Sequence, residues 1–197
     1  ARGRNIRLKY EITLPSNYNV TINSSSSDQV INNLNGNIQV QTASGDGIFN
    51  NIEGNITVST ASGDIITNHI TGNIVVTSAS GDLIHTETKG KVSVTTANGD
   101  VSVKNPEGST SVSTTSGDII FTCTETNPGA SLNSLSGNID LILADNISAT
   151  VFISDSNIMK NVSSDDKDYR SPEVKINGGG NKIYCNTKSG EVSINGD

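Results

Sequence analysis

Six aspartates, Asp28, Asp46, Asp64, Asp82, Asp100 and Asp118, recur at intervals of 18 residues. If each interval is one turn of a coil, the six carboxylates stack into a column. At a rung spacing of ~4.8 Å, neighbouring carboxylates in water repel by about 0.9 kcal/mol, so the column needs compensation. Calcium could supply it, because it takes carboxylate and carbonyl oxygens as ligands. Backbone N–H groups could supply it too, since an aspartate at a turn accepts them readily. The second is favoured here. Calcium-binding solenoids use a denser Gly-Gly-x-Gly-x-Asp spacing that this chain lacks.

Other chemistry-bearing residues are sparse. His69 and His85 fall in adjacent units at different offsets, so a coil wall or corner suits them better than a metal site. Asp165-Asp166-Lys167-Asp168-Tyr169-Arg170 combines acids and cations, as polysaccharide-cleaving β-helices do, but such a run is ordinarily a solvated loop. No nucleophile elbow, phosphate loop or metal-binding histidine motif occurs. No residue is therefore assigned a catalytic, cofactor-binding or metal-ligating role, and no cofactor is expected. The outward face of one strand, Thr57 and Ser59, Val75 and Thr77, Ser93 and Thr95, Ser111 and Ser113, is rich in hydroxyls that could order water, bind ice or contact sugars. Gln39 and Gln41 interrupt the array and serine often replaces threonine, which makes ice binding the lesser alternative.

The elements that would position these columns follow from glycine. Gly36, Gly45, Gly54, Gly63, Gly72, Gly81, Gly90, Gly99, Gly108 and Gly117 are nine residues apart. Two kinds alternate: Gly54-Asn55-Ile56 and Gly72-Asn73-Ile74 on one side, Ser62-Gly63-Asp64-Ile65 and Ser80-Gly81-Asp82-Leu83 on the other. The unit is thus 18 residues long. Within it apolar and polar residues alternate with the period of a half-buried strand, as in Ile56, Val58, Thr60 and then Ile65, Thr67. Helical periodicity is absent. Two short strands and two glycine corners make one coil of an all-β, parallel β-helix (β-solenoid). Parallel crossovers favour the right-handed form. A left-handed triangular coil also uses 18 residues, but with a period of six.

The register slips by two at Asn127-Pro128-Gly129 and resumes at Ala130 and Leu132. A worn copy runs through Ala149, Val151, Ile153 and Asn157-Ile158, and a last copy from Ile183 to Ile194 carries Ser189-Gly190-Glu191. About nine consecutive coils result, with residues 160–182 as an irregular loop. The asparagines Asn19, Asn37, Asn55 and Asn73 are expected to form a side-chain amide ladder. Ser44, Ser62, Ser80 and Ser116 are expected to tighten corners. Residues 1–17 read as a leading strand, with Ile6, Leu8, Tyr10, Ile12 and Leu14 alternating before Pro15, and as a cap on a solenoid of residues 18–197. The two cysteines, Cys123 and Cys185, fall three units or about 14 Å apart, beyond disulfide reach, and are expected to be free and buried.

The order of these motifs resembles a known family. A Tyr10-Glu11-Ile12-Thr13-Leu14-Pro15 strand, repeated apolar-x-apolar-x-Thr-x-Ser-Gly-Asp-apolar units and a final Ser-Gly-x-apolar-x-Ile are similar to the bacterial adhesin-like DUF4097 family over residues 8–196. The resemblance implies a right-handed β-solenoid, exported or displayed in the periplasm, at the outer membrane or on the cell surface, with no established enzymatic activity.

Composition agrees with that class. The 197 residues are 32% hydrophobic, 4% aromatic and 17% charged, with a net charge of -7, which is too polar for a thick core and too acidic for a nucleic-acid partner. No apolar run approaches a membrane helix, so no transmembrane segment is expected. Ala1 to Arg4 has no apolar stretch, so any export signal is expected to be removed or never present. The chain is read as a non-enzymatic envelope or surface module that contacts a glycan or protein. The alternative is a glycan-acting β-helix enzyme with its site in the 160–182 loop.

Overall fold

The structure, a computed structural model, describes residues 10–126, 128–154, 157–161 (by backbone alone) and 172–196. Coil one is β1 (Val20–Ser26) and β2 (Gln29–Asn35). Coil two is β3 (Ile38–Ser44) and β4 (Gly47–Glu53), and coil three β5 (Ile56–Ser62) and β6 (Ile65–Thr71). Coil four is β7 (Ile74–Ser80) and β8 (Leu83–Lys89), and coil five β9 (Val92–Asn98) and β10 (Val101–Lys104). Coil six is β11 (Thr110–Ser116) and β12 (Ile119–Cys123), and coil seven β13 (Ala130–Ser136) and β14 (Ile139–Leu143). In these coils the odd strands form one parallel sheet and the even strands a second. Ile56 pairs Ile74, an 18-residue step, whereas Thr110 pairs Ala130 across the two-residue slip.

Alternation decides which side chains go inside. Ile56, Val58 and Thr60 are buried while Thr57, Ser59 and Ala61 are exposed. Opposite them, Ile65 and Thr67 face inward from β6. A left-handed residue then breaks the alternation so that Ile70 returns to the core. The same bend recurs at Asn33, Asn51, His69, Glu87 and Asn105, with φ between 47° and 56°. Asparagine tolerates this conformation better than most residues do.

Glycine is required at the corners for a different reason. Gly63 has φ +128°, and a Cβ there would collide with the carbonyl oxygen of Gly45 in the coil before. A Cβ on Gly54 would strike the Gly36 carbonyl in the same way. Stacked corners approach until only backbone fits between them. The corner N–H of Gly63 reaches the Ser80 carbonyl at 3.2 Å and that of Ile65 reaches Asp82 at 2.9 Å, so the axial ladder continues around each bend.

The expected nine consecutive coils are corrected to seven. After β14 the chain forms β15 (Ala149–Ser154) and β16 (Asn157–Asn161), then β17 (Glu173–Ile176), β18 (Asn181–Thr187) and β19 (Glu191–Gly196). These do not stack in chain order. β18 lies between β13 and β15, and β19 between β14 and β16. The chain therefore skips a rung, builds the terminal one, and returns to fill the gap with its last strands. β17 runs antiparallel to β15 and covers its outer edge. The stretch read as a loop is thus partly strand: Lys160 and Asn161 end β16, Glu173–Ile176 is β17, and Asn181 opens β18. Residues 162–171 lie outside the described residues.

The leading strand is also corrected. Ile6 and Leu8 lie outside the described residues, and residues 10–15 form no strand. Tyr10, Ile12 and Leu14 are exposed, at 79%, 75% and 47%. The Ser16 carbonyl accepts the Asn35 N–H at 2.7 Å and ties this segment to coil one. The cause is phase. Stepping back one 18-residue unit from the inward Ile31 lands on Thr13, so pairing in the repeat register would leave Ile12 and Leu14 in solvent.

Candidate functional site

The aspartate column exists, and one oxygen of each carboxylate bonds the backbone of the next coil. Asp28 Oδ1 accepts the backbone N–H of Asp46, Asp46 that of Asp64, Asp64 that of Asp82, and so on to Asp118 and Asn138, at 2.7–3.0 Å. Asn138 Oδ1 then accepts the N–H of Glu191 at 3.0 Å, across the rung that the chain fills last. A side-chain oxygen is all the position requires, so Asn138 performs the same task as an aspartate. The ion pairs His69–Glu87, Lys89–Glu107 and Lys175–Glu173 all lie outside this column. Among the described residues no three His, Cys, Asp or Glu side chains converge where a metal could sit.

The asparagine column works in the same way, which corrects the expected amide ladder. Asn19, Asn37, Asn55 and Asn73 accept the N–H of Asn37, Asn55, Asn73 and Lys91 at 2.8–2.9 Å. Their amide oxygens face a free corner N–H, which is a nearer donor than another side chain. An amide ladder does form one face away: Asn68 donates to Asn50 at 2.8 Å, Asn50 to Asn32 at 2.9 Å, and Asn51 to Asn33 at 3.1 Å. The recurrence of asparagine at those offsets was the signal for it in the sequence. At the serine corners the carbonyls of Ser44, Ser62 and Ser80 accept hydroxyls from Thr42, Thr60 and Ser78 at 2.8–3.0 Å. The buried residue two places earlier supplies that hydroxyl bond.

The histidines separate. His69 is exposed at its left-handed bend, with Nε2 2.7 Å from Glu87 Oε2. His85 points into the core among Thr67, Val103 and Leu83, with Nδ1 2.7 Å from Thr67 Oγ1 and Nε2 without a partner. Burial lowers its pKa from 6.5 to about 4, so the imidazole is neutral at pH 7. Both cysteines are buried and free, and burial pushes their thiols up to about 12. Cys123 lies in coil six and Cys185 in the rung next to coil seven, two rungs apart where three were expected. The count changes because the last strands fill an inner rung. Thiols this protonated are poor nucleophiles.

The outward surface of the first sheet carries the hydroxyl rows. Thr57, Ser59, Thr77, Thr95 and Ser113 are exposed there. A shallow trough crosses coils one to four between Asn23, Gln41, Ser59 and Thr77 on one side and Ala43, Ala61 and Ala79 on the other. The charged run Asp165-Asp166-Lys167-Asp168-Tyr169-Arg170 lies outside the described residues.

Replacing Asp64 by alanine removes an acceptor and should cost about 1 kcal/mol in urea unfolding, whereas Asp64→Asn should cost less than about 0.5 kcal/mol. Millimolar calcium should leave both midpoints unmoved; a calcium-dependent rise in the wild type, lost in Asp64→Asn, would reassign the column to cation binding. A second expectation concerns acid. Between pH 6.5 and about 4 an unfolded chain protonates His85 while the folded chain holds it neutral. Stability should therefore be fully present above pH 6.5 and fall as the pH drops toward 4, by up to about 3 kcal/mol. His85→Val should flatten that part of the profile, and an unchanged slope would show that other groups produce it.

No curated protein and no solved structure matches the chain. One family model does, described as Toastrack DUF4097, and its match runs from residue 4 to residue 195. That span takes in the leading segment, every glycine corner and the strands that fill the inner rung. A solenoid of this repeat, matched over nearly its whole length, belongs to the Toastrack DUF4097 family.

Proposed function

We propose that this chain is a non-enzymatic interaction module of the bacterial envelope or cell surface, an adhesin-like rod that presents a regular polar face to a glycan or protein partner. The use of the aspartate column carries the reading. The most regular set of acids in the chain accepts backbone N–H bonds from coil to coil and so holds the rod together. The outer face of the first sheet carries rows of hydroxyl and amide groups, with Val75, Leu135 and Tyr184 among them. Such a surface suits contact with hydroxyl-rich or polar partners, because each group both donates and accepts. Among the described residues no helix is long and apolar enough to cross a membrane.

Incubation with envelope polysaccharides on a glycan array, beside a version lacking residues 162–171, tests the proposal. Retention without turnover in both proteins is the expected outcome. Release of shortened glycan by the full chain, abolished in the shortened one, would make the protein an enzyme and overturn it.

A further inference from the structure

The outer face of the first sheet changes character at one point. The chain has three Phe, four Tyr and no Trp. Phe49 and Phe121 are in the core, Tyr10 and Tyr18 precede β1, and Tyr169 lies outside the described residues. Phe152 on β15 and Tyr184 on β18 remain, and they are register partners on neighbouring rungs. Their rings stack, with centroids 5.0 Å apart and planes 15° from parallel. The separation is about one rung, so the rings stand up from the sheet with their faces directed along the solenoid axis. The Lys182 ammonium lies 5.8 Å from the Phe152 centroid and supports this aromatic wall.

Tyr184 is 47% exposed. Phe152 covers one face of its ring. The other face looks toward coil seven, where the register partner is Ser131, and past it to Ser111 on coil six and Ser93 on coil five. All three are small and half-buried, so an upright ring adjoins a low floor of hydroxyls. The Asn133 amide donates to Ser131 Oγ at 3.3 Å along one margin of that floor, beside the exposed Ser113 and Asn186.

We propose that this step is a carbohydrate-binding site for a neutral pyranose. The apolar C–H face of the sugar would lie against the free face of Tyr184. Its hydroxyl rim would reach Ser131, Ser111 and Asn133, which can each donate and accept. An aromatic face beside convergent polar groups supplies the apolar and the orienting contacts that a small ligand uses. The net charge of -7 disfavours a nucleotide base as the stacking partner, because its phosphates would be repelled. A proline-rich peptide would need an aromatic-lined groove, and here the floor is serine. The site deepens the interaction-module reading and rests on it.

Calorimetric titration of the full chain with cellohexaose, chitohexaose and mannohexaose tests the site, with Tyr184→Ser and Ser131→Ile as variants. Tyr184→Ser removes the wall and continues the serine row; Ser131→Ile keeps the wall and covers its free face. At least one saccharide should bind the wild type and lose about tenfold or more in affinity with either variant, while both variants still unfold cooperatively from a folded state. Equal affinity in wild type and Tyr184→Ser would overturn the site while leaving a glycan-binding module elsewhere on the rod. No binding by the wild type at about 10 mM saccharide would overturn the carbohydrate assignment. Capture of an envelope protein by wild type and Tyr184→Ser alike would, in that event, preserve the broader reading. Cleavage of the saccharide would overturn the broader reading itself.

Discussion

A hydrogen bond directed from one coil to the next is the interaction on which this molecule depends. It occurs between paired strands, around both kinds of corner, and through the side chains of Asp64 and Asn55 to the N–H of the following coil. Each bond is worth only about 1 kcal/mol net, but a rod repeats it at nearly every position. The cost is geometric. Coils must approach until corner backbones touch, and a Cβ on Gly63 would meet the Gly45 carbonyl. The glycine periodicity is therefore a consequence of the axial bond. So is the composition: 32% hydrophobic residues suffice because each coil offers a few inward Ile, Val and Leu and its neighbours cover them.

The same constraint separates structure from recognition. Acids and amides at the corners are committed to the ladder, and His85 is committed to the core with its Nδ1 on Thr67. The side chains free to meet a partner are those on the outward phase of the strands. Their spacing is set by the rungs, so variation along the rod arises only where side-chain size changes, as it does between Ser131 and Tyr184.

Much of this was legible in the sequence. Glycine spacing defined the coil, alternation defined its inward face, and the slip before Ala130 appears as the 20-residue step between Thr110 and Ala130. The burial of Cys185 followed from its place in the Val58 column. The order of the last rungs was not legible. Ile183 and Val151 carry the same alternating signal, and a parallel sheet accepts either beside Ala130. Nor did alternation alone place Tyr10, Ile12 and Leu14, because it reveals a strand pattern without revealing whether its phase matches the neighbour. The left-handed column at Asn51 and His69 was hidden for a related reason: a bend in mid-strand leaves the 18-residue period intact.

Amide hydrogen exchange on the full chain tests the axial ladder and the filled rung together. Ile183 and Cys185 lie near the C-terminus, yet their amides should exchange as slowly as those of Val112 and Leu132, because β18 is flanked on both sides. The amides of Asp64 and Asp82 should also be slow although both residues are exposed, since each N–H is bonded to the carboxylate one coil earlier. Fast exchange throughout residues 181–187, as in a frayed terminus, would contradict the rung order, and fast exchange at Asp64 and Asp82 would contradict the side-chain ladder.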